Sequence, residues 1–183
     1  MAKENSVPKP LPLVAQDPGL RYVGLALFRG GRMVAAGRPN PGEIEGQNRL
    51  SKADTAAQTG RAAVSWAKEH AGGPFDAACE HMQARGAHDP KTVQLLELCS
   101  VAGWLCGAAE SAQLVPVSTW KSNYKKAVVH GWIAKELDAE EEAVLGAAVA
   151  QLNPRERGDV LDAVGIGLWA LGRDVRQHKK PTK

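Results

Sequence analysis

Residues 11–37 read LPLVAQDPGLRYVGLALFRGGRMVAAG, and this stretch sets the class of the fold. Leu11 to Gln16 is a short apolar run halted by Asp17-Pro18-Gly19, a turn sequence. Tyr22 to Phe28 predicts a second strand and Met33 to Gly37 a third, joined through the hairpin Arg29-Gly30-Gly31-Arg32. Strands linked this tightly run antiparallel.

Downstream the period of the apolar residues changes. The polar stretch Pro39 to Asn48 leads into a helix of about Leu50 to His70, which Gly72-Gly73-Pro74 breaks. Phe75 to Cys79 is a nearly continuous apolar run ending at Glu80, which fits a strand covered on both faces. Asp89-Pro90 opens a second long helix, and Gln113 to Val117 predicts a fifth strand. After a basic segment come a helix near Glu140 to Leu152, a turn at Asn153-Pro154 and a last helix from Asp159 to Leu171. The order β-β-β-α-β-α-β-α-α describes an α/β fold: a mixed five-stranded sheet, three antiparallel strands then parallel crossovers, with helices on both faces.

With 183 residues the chain suits one domain, expected over 11–175 between loose ends at 1–10 and 176–183. Apolar residues at 44% and charged residues at 23% exclude the disordered, fibrous and membrane classes. Met1 to Leu13 carries no secretory pattern, so the cytoplasm is the expected compartment. Cys79, Cys99 and Cys106 have no metal-binding spacing and read as reduced thiols; Cys99 and Cys106, seven apart, should share a buried helical face. The net charge of +3 hides a segregated distribution. Residues 18–42 carry Arg21, Arg29, Arg32 and Arg38 and no acid, and 119–135 carry Lys121, Lys125, Lys126, His130 and Lys135, again with no acid. Lys179, Lys180 and Lys183 add charge at the end, and acids gather from Asp138 to Glu142. Such segregation suits a polyanionic partner.

Four carboxylates stand where they can act together. Asp17 ends the first strand and Glu80 the fourth; as parallel neighbours they would emerge at one sheet edge, where α/β sheets bind ligands. Asp159 and Asp162 are three apart at the predicted start of the last helix and share a face, although Asp-x-x-Asp also suits a helix cap. Four hard oxygen donors fit two Mg²⁺ or Mn²⁺ ions, which at about 4 Å apart activate water and stabilise the leaving oxygen in phosphodiester hydrolysis.

Val14-Ala15-Gln16-Asp17-Pro18-Gly19, then Tyr22-Val23-Gly24-Leu25-Ala26, resembles the first hairpin of RuvC-type Holliday junction resolvases. Glu80 closing an apolar strand resembles their second acid, and Gly158-Asp159-Val160-Leu161-Asp162 with the apolar run after it resembles the paired acids of their last helix. The resemblance spans roughly 11–172. It implies a ribonuclease H-like fold, a homodimer, Mg²⁺ or Mn²⁺ at Asp17, Glu80, Asp159 and Asp162, and paired nicks across a four-way junction. Where that family often carries an aromatic after the second acid, this chain has His81 and Met82, which take the place of candidate wedge. Lys121, Lys125 and Lys126 stand where the family has basic residues after the fifth strand, and with Arg21 they complete the expected DNA contacts.

Trp104 and Trp169 fall in helical apolar patterns and are expected in the core, whereas Trp120 and Trp132 flank the lysines, with base stacking the lesser reading. The helix from about Lys91 to Glu110 is apolar over a wide arc (Leu95, Leu96, Leu98, Val101, Trp104, Leu105, Ala108), and Gly103 and Gly107 would admit a partner helix. It is the expected dimer face. The alternatives are another nuclease of this fold acting on hybrids, flaps or branched DNA, and a DNA-binding protein without catalysis.

Overall fold

The computed structural model describes residues 10–41, 51–81, 92–122, 124–173 and 175–178. Strands β1 (Leu13–Asp17), β2 (Gly24–Arg29), β3 (Arg32–Gly37), β4 (Asp76–His81) and β5 (Ala112–Pro116) form a five-stranded sheet in the order β3-β2-β1-β4-β5. β1 pairs antiparallel with β2 and β2 with β3, while β1–β4 and β4–β5 are parallel. This is the mixed sheet read from the sequence. Gly30 and Gly31 both take positive φ (57° and 84°), which the two-residue turn between β2 and β3 requires.

Helices cover both faces. On one, α1 (Lys52–Ala71) and α2 (Thr92–Ala108) bury Val14, Leu25, Leu27, Ala77 and Cys79. On the other, α6 (Pro154–Ala170) packs Ala163, Val164 and Ile166 against Ala15, Ala26, Phe28 and Ala78. The strands are apolar on both sides for this reason, and consecutive residues enter different core layers.

The structure corrects several readings. Asn153-Pro154 is a helix start: Asn153 caps α6, Pro154 takes its first position, and Glu156 closes the capping box. Asp159 and Asp162 therefore lie inside the helix, and capping is not their role. The basic segment holds two further helices, the single turn α3 (Val117–Trp120) and α4 (Lys126–Glu136), ahead of α5 (Ala139–Val149). Val129, Trp132 and Ile133, at helical spacing, bury α4 against the core. Trp120 and Trp132 are buried there, which removes them as stacking platforms. Trp104 lies across Gly60 of α1 with one side in solvent, at 41% exposure, so it is not a core residue. Cys99 is exposed and only Cys106 is partly buried.

Val175–His178 form a 3-10 turn with Val175 buried, so the chain is still ordered at the first residues of the expected tail. Just before it, Arg173 joins separate elements: it donates to both Glu141 carboxylate oxygens (2.6 and 2.9 Å) and to the carbonyls of Glu136 and Gly31. Residues 1–9, Met82, the helix start at Asp89-Pro90 and the lysines from Lys179 onward lie outside the described residues.

Candidate active site

The parallel register of β1 and β4 pairs Gln16 with Cys79, so the next residues, Asp17 and Glu80, stand side by side at the same edge. Both face α6. That helix lies directly on the sheet: a Cβ at Gly24, at the start of β2, would come within 2.0 Å of the Asp159 carbonyl oxygen. Only glycine permits this approach, which sets Asp159 and Asp162 over the strand ends. Asp17 lies within reach of the charges of Glu80, Asp162 and Asp159, so the four carboxylates are near neighbours.

Their surroundings differ. Burial, then the charges of Glu80, Asp162 and Asp159, raise the Asp17 carboxyl well above the usual aspartate range. Glu80 is raised by burial and by Asp162, while Lys121 and hydrogen bonds from Trp120 and Asp17 pull the other way. Trp120 Nε1 donates to Glu80 Oε1 at 3.2 Å. Asp159 is raised mainly by burial. Asp162 goes down: burial would raise it, but hydrogen bonds from His130 and Lys126 and the charge of Lys121 prevail. His130 Nε2 lies 2.8 Å from its Oδ1, and Lys126 and Lys121 Nζ lie 2.9 and 3.1 Å from its Oδ2.

Lys121 and Lys126 thus point into the acids, with Lys126 also 3.8 Å from Asp159. Lys125 is exposed as the residue before α4, which starts without a side-chain cap. Arg21 is exposed beside a cleft of about 590 Å³ lined by Asp17, Tyr22, Arg38, Arg155 and Asp159. His81 is half-buried on an apolar pocket that Glu80 and Pro18 also line. His130 and Arg38 were not singled out as site residues by the sequence. Arg38 stacks 3.6 Å from the Tyr22 ring centre, pairs with Glu156 at 2.8 Å and reaches within 3.9 Å of Asp159. The 126–130 spacing would have put Lys126 and His130 on one face had the helix been recognised.

Carboxylates crowded together in a half-buried site suit a hard divalent cation, and the donor set is the one Mg²⁺ or Mn²⁺ takes. Among the described residues no group of three or more acids, histidines or cysteines is drawn together closely enough to hold an ion as it stands. The cations on Asp162 occupy the oxygens an ion would need.

No family model matches the chain, and no curated protein matches it. Three solved structures are similar. The yeast mitochondrial Holliday junction resolvase Ydc2 aligns over 96% of this chain and 85% of its own, at 11% identity and a TM-score of 0.55. Thermus thermophilus RuvC aligns over 89% of this chain and 98% of its own, at 11% identity and a TM-score of 0.49. T. thermophilus RuvC in complex with a Holliday junction substrate aligns over 88% and 94%, at 13% identity and a TM-score of 0.48. No helix among the described residues is long and apolar enough to cross a membrane. The mixed sheet, its helical layers and the yeast enzyme's superposition over nearly the whole chain give this protein the ribonuclease H-like fold of the Holliday junction resolvases that its sequence resembles.

Proposed function

We propose that this chain is a metal-dependent endonuclease that cuts four-way DNA junctions as a homodimer. The observation that carries the reading is the placement of Asp17 and Glu80 at adjacent parallel strand ends, facing Asp159 and Asp162 on α6. These four residues would hold Mg²⁺ or Mn²⁺, which supplies an activated water and stabilises the departing oxygen of the phosphodiester.

The rest of the site prepares for an anionic polymer. Arg21, Arg38 and Arg155 line the cleft beside Asp17 and balance the repulsion between phosphate and acids. Lys125 and Lys126 sit at the N-terminus of α4, where the helix dipole disfavours cations and favours anions. A backbone phosphate there would satisfy both dipole and lysines, and would draw Lys126 off Asp162. His130 holds Asp162 from its other oxygen and keeps the side chain oriented.

The dimer is supported by the outer face of α2. Leu96 is 66% exposed and Trp104 41%, and a Cβ on Gly103 or Gly107 would meet only open space. An apolar face with two glycines admits a second helix at short range, and two-fold pairing matches two opposed strands of a junction.

The test compares Mg²⁺-dependent cleavage of a four-way junction, a flap, an RNA–DNA hybrid and linear duplex by the same preparation. Symmetric paired nicks in the junction at a rate well above the others are expected. Equal cutting of flaps or hybrids would move the substrate assignment to those, and the absence of cleavage with either metal would end the hydrolytic reading.

A further inference from the structure

Beneath the acids, on the opposite face of the sheet, lies a group of sulfur and amide side chains that hydrolysis does not use. Side chains alternate along a strand, so Gln16 and Cys79 point toward α1 and α2 while Asp17 and Glu80 point toward α6. Cys79 Sγ is 3.3 Å from Gln16 Oε1 and 3.5 Å from Cys106 Sγ on α2. Gln16 and Cys79 are fully buried. Cys106 borders an apolar pocket of about 350 Å³ whose wall also includes Leu98, Cys99 and Leu114. Cys99 and Leu114 are exposed, so small solutes reach the pocket from solvent.

We propose that Cys79 and Cys106 are a peroxide-sensitive thiol pair that closes to a disulfide and, by pulling on β4, disables the acid cluster on the other side of the sheet. The effect on cleavage rests on the hydrolytic reading above; the formation of the bond does not. A disulfide needs the sulfurs about 2 Å apart, so the pair must close by about 1.5 Å from its separation of 3.5 Å.

The two thiols have distinct parts. Cys79 is fully buried, whereas Cys106 is half-buried and borders the pocket, so it is Cys106 that a small oxidant meets first. Cys106 is therefore the nucleophile. Its thiolate attacks one oxygen of a hydroperoxide; the S–O bond forms, the O–O bond breaks, and the departing oxygen takes a proton and leaves as water or alcohol. Cys79 sulfur then attacks the resulting sulfenic acid. The S–S bond forms, the S–O bond breaks, and the hydroxyl leaves as water with the Cys79 proton. Two thiols lose two electrons and the peroxide gains them. Cys79 is bonded directly to Glu80 in sequence, and its partner Gln16 directly precedes Asp17, so movement of this sulfur reaches both acids.

The experiment treats the reduced full chain with hydrogen peroxide, blocks remaining thiols and maps peptides by mass spectrometry. A cross-link between Cys79 and Cys106, lighter by two hydrogens, is expected in the wild type and in Cys99→Ser and absent in Cys106→Ser. In Cys79→Ser the oxidation should stop at a sulfenic acid on Cys106 that dimedone captures. Free thiols at both positions, or a link through Cys99, would overturn the pair. Junction cleavage should fall on the order of 100-fold on oxidation, as an ångström-scale misplacement costs, and return with dithiothreitol. A complete cross-link that leaves cleavage unchanged would overturn the coupling to the acids. A chain that cleaves nothing even when reduced would defeat the hydrolytic reading instead, and the peptide map would still decide the thiol pair.

Discussion

Asp17 and Asp162 belong to one cluster but carry opposite electrostatic loads. Asp17 is a half-buried acid raised well above its ordinary value of 3.8, so the fold is less stable with it ionised. Asp17→Asn should abolish metal-dependent cleavage and yet raise the melting temperature at neutral pH without metal, by roughly 2–4 °C per kcal/mol relieved in a chain of this size. The gain should shrink as pH falls through the raised folded value and vanish below the usual 3.8, where both states hold the proton. Mg²⁺ should raise the wild-type melting temperature more than the variant's. Asp162 is the reverse case, lowered by His130 and its lysines, so its contribution is present above 3.8 and lost as pH falls through the folded value. Asp162→Asn should also stop cleavage but cost about 1–3 kcal/mol, because Lys121 and Lys126 lose a charged acceptor in a confined site. Calorimetry from about pH 3 to 8 separates the two; a drop in stability for both variants would mean that Asp17 is only a turn residue.

At the scale of the element, α4 is where the sequence was least legible. Its lysines were read for charge, and the helical spacing of Val129, Trp132 and Ile133 was masked by a segment with no cap signal on either side. Packing supplies what propensity does not, since the three side chains are buried against the layer that holds α6. The five strands were legible because alternation and apolar runs report burial directly, and Asp17 and Glu80 were legible with them as strand ends. Asn153-Pro154 was ambiguous in principle: the pair starts helices as readily as turns, and only Glu156 three residues after Asn153 tips it. That start moved both helix acids from cap positions into the site. With α4 in place, Lys125 stands exposed at the N-terminus of the helix, open to a phosphate. Lys125→Ala should weaken junction binding and reduce the slope of log affinity against log salt by about 0.9. Fluorescence anisotropy across a salt series measures it, and an unaltered slope would assign Lys125 to solvent.

For the molecule as a whole, the exposed stripe of α2 is the feature that a monomer leaves uncovered. Sedimentation at micromolar concentration should give a dimer, and Leu96→Glu, which places a charge on that stripe, should give a folded monomer that binds junctions more weakly. A wild-type monomer with and without junction DNA would remove the dimer and with it the argument for paired cutting. The sheet imposes a further condition. In β1 odd-numbered residues face α6 and even-numbered ones face α2, and in β4 the assignment is inverted, so that 17 and 80 fall on one side and 16 and 79 on the other. Parity is thus a discrete variable that the strand cannot adjust gradually. Removing one residue between Phe75 and Glu80 would send the glutamate into the apolar layer and bring His81 to the place it held. Strand β4 can change length in even steps only, if the acids are to stay together.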